Sequence, residues 1–94
     1  QNKRPNLYKL EKEISNIKTP TLIINGDEDD MCLEVGLFLK RTIKNSGLLI
    51  VPKTGHTINL EEPSLFNNHL ADFYMAINSN SWNERDERAV IIKV

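Results

Sequence analysis

The chain has 94 residues, with 12 Lys+Arg against 13 Asp+Glu, a formal net charge of -1, and 39% hydrophobic residues. That length holds one small domain and not two, and the balanced charge gives no general attraction to nucleic acid or to an anionic membrane. A single cysteine excludes an internal disulfide and a Cys-rich zinc site, and it fits a reducing, cytoplasmic compartment.

No apolar run approaches the roughly 20 residues needed to cross a bilayer. The opening Gln1-Asn2-Lys3-Arg4-Pro5 has no apolar signal-peptide core behind it and no initiator Met. The chain is therefore expected to be a fragment, a processed product or a trimmed piece of a longer protein.

From Asn6 to Lys18, Leu7, Leu10, Ile14 and Ile17 form one apolar stripe at helical spacing. Pro20 stops that helix, because the residue before proline is pushed out of the helical region. Thr21-Leu22-Ile23-Ile24-Asn25, ended by Gly26, reads as a strand covered on both faces. The acidic turn Asp27-Glu28-Asp29-Asp30 follows. From Met31 to Asn45 the pattern turns helical, with Val35, Phe38, Leu39, Thr42 and Ile43 on one face. Gly36 reads as a mild defect of about 1 kcal/mol relative to Ala. Asn45-Ser46-Gly47 reads as the helix stop.

Leu48-Leu49-Ile50-Val51 is a second buried-type strand, closed by Pro52. A loop from Lys53 to Asn59 carries Gly55 and His56. The last long helix spans Pro63 to Ile77. Pro63 suits the first helical position, and Glu61 and Glu62 lie against the positive end of the helix dipole. Phe66, Leu70, Phe73, Tyr74 and Ile77 form its apolar face. Ala89 to Val94 has the pattern of a third, terminal strand.

A helix of about four turns between two apolar strands is the crossover of a parallel β-α-β unit, so the fold class is α/β. Parallel strands deliver their carboxyl ends to one rim, where ligands and catalytic groups of open α/β sheets gather. Neighbouring strands lie about 4.8 Å apart. A carboxylate from the 27–30 turn and the imidazole of His56 can therefore meet at that rim. The carboxylate then fixes the tautomer of the ring and stabilises the imidazolium formed when the other nitrogen takes a proton.

The string PTLIINGDED, a helix, LLIVPKTGHTINLEEP and a helix opening SLFNN resemble the C-terminal part of the α/β-hydrolase superfamily over residues 15 to 77. The resemblance implies that Asp29, in Gly26-Asp27-Glu28-Asp29, is the triad acid. It implies that His56, after Gly55, is the general base and later the general acid. Glu61-Glu62-Pro63 matches the opening of the family's last helix. Two departures stand out. A proline that often follows the acid is replaced by the run Asp30-Met31-Cys32-Leu33-Glu34. The nucleophile elbow G-x-S-x-G is absent: Ser15, Ser46, Ser64, Ser79 and Ser81 all lie outside such a motif.

Other residues receive quieter readings. Asp27 and Asp30 are the alternatives to Asp29 as the acid. An EF-hand counted from Asp27 fails, because it would need Gly at position 32 and Glu at position 38, where Cys32 and Phe38 stand. A receiver-type or other metal-binding domain is the weakest reading. Cys32 sits near a helix N-terminus, among carboxylates that favour the protonated thiol, and reads as a small buried hydrophobe. His69 reads as exposed or helix-capping. Tyr8 and Trp82 read as packing.

The expectation is thus a single partial α/β domain, a partial three-layer sandwich with two parallel strands and helices on both faces. Residues 1–19 hold a helix, 20–78 the β-α-β-α unit with the acid and histidine loops, and 79–94 an extension. The resemblance implies a hydrolase of carboxylic esters or related small-molecule acyl substrates, with no cofactor, no metal, and the nucleophile outside this chain. The isolated chain should be inactive. The alternative is a non-catalytic interaction module on a truncated hydrolase fold. An unpartnered strand edge implies a homo-oligomer or strand exchange between copies.

Overall fold

Two short apolar runs become the centre of the molecule because each can bury its side chains only by pairing with the other and being covered by helices. The computed structural model describes residues 7–83. Strand β1 (Thr21–Gly26) pairs in parallel with β2 (Ser46–Val51), from Thr21 opposite Ser46 to Gly26 opposite Val51. The expected third strand at 89–94 lies outside the described residues.

The expected helix at the start is shorter than its apolar stripe. A 3-10 turn, Leu7–Leu10, runs into α1 (Glu11–Ser15). The Ser15 hydroxyl donates to the Lys12 carbonyl at 2.6 Å, and the amides of Asn16 and Ile17 bond three residues back, which closes the helix. Of the stripe only Ile14 is buried, while Leu10 and Ile17 are exposed. Tyr8 packs its ring on Phe38, centroid to centroid 4.5 Å.

The crossover helix α2 (Asp30–Thr42) packs on both strands. Its stop differs from expectation. The helix ends at Thr42, Ile43 is already extended, and Ser46 and Gly47 belong to β2. The Ser46 hydroxyl donates to the Ile43 carbonyl at 2.6 Å, so this residue fastens the helix end to the strand start. Gly36 is a contact point and not a defect: a Cβ there would collide with Oδ1 of Asn25 on β1.

The alternation of side chains along a strand assigns the two faces. Asn25 and Ser46 point toward α2. Gly47, one residue out of phase with Ser46, faces the other way, where the Trp82 ring lies 2.8 Å from the place of a Cβ. Trp82 donates its indole N–H to the Asn45 carbonyl at 3.1 Å and meets Phe73 edge-on at 4.8 Å. Phe73 belongs to α4 (Pro63–Asn78), so helices cover both faces as expected. Coverage is incomplete, however. The apolar side chains of β1 are half-buried, and Ile50 of β2 is 42% exposed. Among the described residues the buried hydrophobic side chains are Ile14, Ile43, Val51 and Ile58.

A one-turn helix, α3 (Ile58–Glu61), occupies part of what reads as loop. It buries Ile58. Pro63 opens α4 as expected, but Tyr74 and Ile77 are exposed and do not share the half-buried face of Phe66, Leu70 and Phe73. Among the described residues no helix is long and apolar enough to cross a membrane.

Candidate active site

Both strands end at the same rim, and a set of backbone hydrogen bonds ties their exits together. The Asp27 amide donates to the Val51 carbonyl and the Glu28 amide to the Thr54 carbonyl, each at 2.9 Å. The Thr54 amide returns a longer bond, 3.4 Å, to the Asp27 carboxylate. Thr54 is fully buried, and its hydroxyl donates to the Pro52 carbonyl at 2.8 Å. Between them Lys53 takes a left-handed conformation, φ 53°, which turns the chain back over the rim.

Gly26 makes that return possible. A Cβ at this position would overlap the backbone carbonyls of Thr54 and Gly55. The second loop therefore crosses directly over the end of β1 and sets His56 beside Asp29. Asp29 itself is the residue before α2, and its amide donates to the Gly26 carbonyl at 3.1 Å.

The Asp29 Oδ2 lies 2.6 Å from Nδ1 of His56. The hydrogen bond from His56 and a second from the Cys32 thiol hold the Asp29 carboxyl below its usual range. The carboxylate is sheltered, with 18% of its side chain exposed, while the His56 side chain is 79% exposed. With Nδ1–H donated to Asp29, Nε2 of the neutral ring carries the lone pair and faces solvent. That is the protonation pattern of a general base.

Of the alternative acids, Asp27 turns its carboxylate to the Thr54 amide, and Asp30 is exposed at the first position of α2. His69 is exposed on α4, as expected. Cys32 departs from its quiet reading. It is only partly buried, and its Sγ lies 4.0 Å from Nδ1 of His56. The thiol approaches the nitrogen already held by Asp29 and not Nε2, so it is not placed as a nucleophile activated by this histidine.

Glu61 is the residue that the sequence pattern misplaces. Its carboxylate does not merely face the end of α4. It accepts the Gly55 amide and the Thr57 hydroxyl, both at 3.2 Å, and so clamps the loop on either side of His56. The signal was the i, i+4 spacing of Thr57 and Glu61, which matters only once α3 is known to form.

A two-strand parallel unit carrying an acid–histidine pair at its rim defines a class of α/β protein, and comparison with known proteins narrows it. No family model matches the chain. The chain is 38% identical over 65 residues to the AB hydrolase superfamily protein YisY of Bacillus subtilis (strain 168), covering 68% of this chain and 24% of YisY. It is 31% identical over 74 residues, 79% of this chain and 26% of the relative, to a protein of the same strain named provisionally as a 2-succinyl-6-hydroxy-2,4-cyclohexadiene-1-carboxylate synthase. The solved structure of MenH from S. aureus superposes with a TM-score of 0.65 and 31% identity, over 68% of this chain and 24% of that one. The chain carries a part of the α/β-hydrolase fold. It spans about a quarter of the length of these relatives.

Proposed function

We propose that this chain supplies the acid and the base of an acyl hydrolase whose serine nucleophile lies outside these 94 residues. Asp29 orients His56 and stabilises its imidazolium. Nε2 of His56 takes the proton of the attacking hydroxyl and returns it to the leaving group. The substrates are carboxylic esters or related acyl compounds, a class that rests on the commonest chemistry of the fold. The observation that carries the reading is the 2.6 Å contact between Asp29 and His56 at a shared strand rim, with the far nitrogen open to solvent.

Of the five serines, all among the described residues, Ser15, Ser46, Ser79 and Ser81 hydrogen-bond to carbonyls or to each other, Ser64 is exposed in the first turn of α4, and none hydrogen-bonds to His56. The isolated chain should therefore not hydrolyse a p-nitrophenyl ester above the buffer rate. Ester turnover by the purified chain that disappears in His56→Ala would refute that expectation. In the protein that contains the nucleophile, His56→Ala should lower kcat by about 10³-fold or more. A loss of less than tenfold would remove His56 from the chemistry.

The synthase-named relative supports a second reading, in which the same pair moves a proton without hydrolysing an acyl bond. Product analysis separates the two: a free acid and alcohol support the hydrolase, and a rearranged or joined carbon skeleton supports the synthase.

A further inference from the structure

Three side chains of different chemistry converge at the rim: the Asp29 carboxylate, the Cys32 thiol and Nδ1 of His56. Their ligand atoms all lie within 4.8 Å of one another. We propose that they form a three-ligand site for a borderline-soft divalent cation, with Zn²⁺ as the best match. This assignment rests on the side-chain geometry and not on the hydrolase reading.

The donor set selects the ion. A thiolate disfavours magnesium and calcium, which take oxygen ligands, and a thiolate with an imidazole and a carboxylate suits zinc. Tetrahedral zinc, with bonds of about 2.0 to 2.3 Å, needs its donors roughly 3.3 to 3.6 Å apart. The pair Asp29–His56, at 2.6 Å, must open somewhat, and Cys32–His56, at 4.0 Å, must close slightly. Both adjustments are modest for a ring that is 79% exposed. Asp29 stands just before α2 and Cys32 in its first turn, with ligand atoms no more than 4.8 Å apart. Solvent reaches the site past the exposed His56 ring.

Binding releases the Cys32 proton to the buffer, because the metal takes the thiolate. Ligation through Nδ1 also places the proton of the neutral ring on Nε2. A zinc-loaded site therefore has no lone pair left on the nitrogen that the hydrolase reading needs. The ion would switch the base off rather than assist it, and Cys32 would set that sensitivity.

Cobalt(II) titrated into the 94-residue chain near neutral pH tests the site directly. The expected result is a thiolate-to-cobalt charge-transfer band in the near ultraviolet, abolished when Zn²⁺ is added in excess. The band should be lost in Cys32→Ser, weakened by about 100-fold or more in affinity in His56→Ala, and unchanged in His69→Ala. No such band in the unmodified chain, or one that survives His56→Ala at equal affinity or vanishes in His69→Ala, overturns the proposal. If Cys32→Ser does not fold, the rate at which iodoacetamide alkylates Cys32 in the unmodified chain decides instead. Zn²⁺ should slow it, and an unchanged rate counts against the site. Neither readout depends on ester turnover, so the site and the hydrolase reading can fail separately.

Discussion

Asp29 and His56 divide one task according to their surroundings. The sheltered carboxylate stays ionised, and in the proposed mechanism the exposed ring is the partner that exchanges the proton. The direction of the Asp29 shift gives a pH prediction. A carboxyl whose folded value is lowered contributes stability in full above its ordinary value, and that contribution is lost as the pH falls through the lower folded value. Acid unfolding should thus be delayed relative to a chain with an ordinary carboxyl at this position. Replacing the ring in His56→Ala removes the largest cause of the shift. The side-chain carbon signal of Asp29, followed by NMR, should then titrate closer to the ordinary Asp value. An unmoved titration would mean that the hydrogen bond in the structure is not what holds the carboxylate ionised.

At the scale of elements, the tightest fit is between α2 and β1. Gly36 sits against Asn25, whose buried Oδ1 has no hydrogen-bond partner among the described residues. Gly36→Ala should destabilise the fold by about 1–2 kcal/mol, the overlap outweighing the roughly 1 kcal/mol gained in helix propensity. Asn25→Ala should restore most of that loss in the double variant, as read by urea denaturation. Simple additivity would show that the two residues do not press on each other. Much of this layer was legible in the sequence. The strands announce themselves as β-branched runs ended by Gly26 and Pro52, and α4 by Pro63 and its apolar spacing. The Asp29–His56 pair follows from parallel strand ends and from family resemblance. What stayed hidden depended on contacts across the chain. A single turn such as α3 has no period to detect. Gly36 looks like a helix flaw until Asn25 is seen beneath it, and Cys32 looks inert until the loop carrying His56 folds over it.

For the whole molecule, the decisive feature is a sheet of only two strands among the described residues. Among the described residues no strand pairs with the outer edge of β1, and large apolar side chains such as Met31 and Leu60 are about three-quarters exposed, at 73% and 75%. Such an edge favours pairing with a second copy. Light scattering at high concentration should therefore report a dimer or larger assembly. A monodisperse monomer at every concentration would reject it. The relatives, about four times longer than the matched segment, have far more chain with which to cover such an edge.

The crossing of the Thr54–Gly55 backbone over Gly26 carries a last consequence. The ring and its anion are not held by a flexible arm that could let go by itself. They are mounted on the ladder's own end, so warming the protein should leave them together until the two ribbons come apart, and then lose both at once.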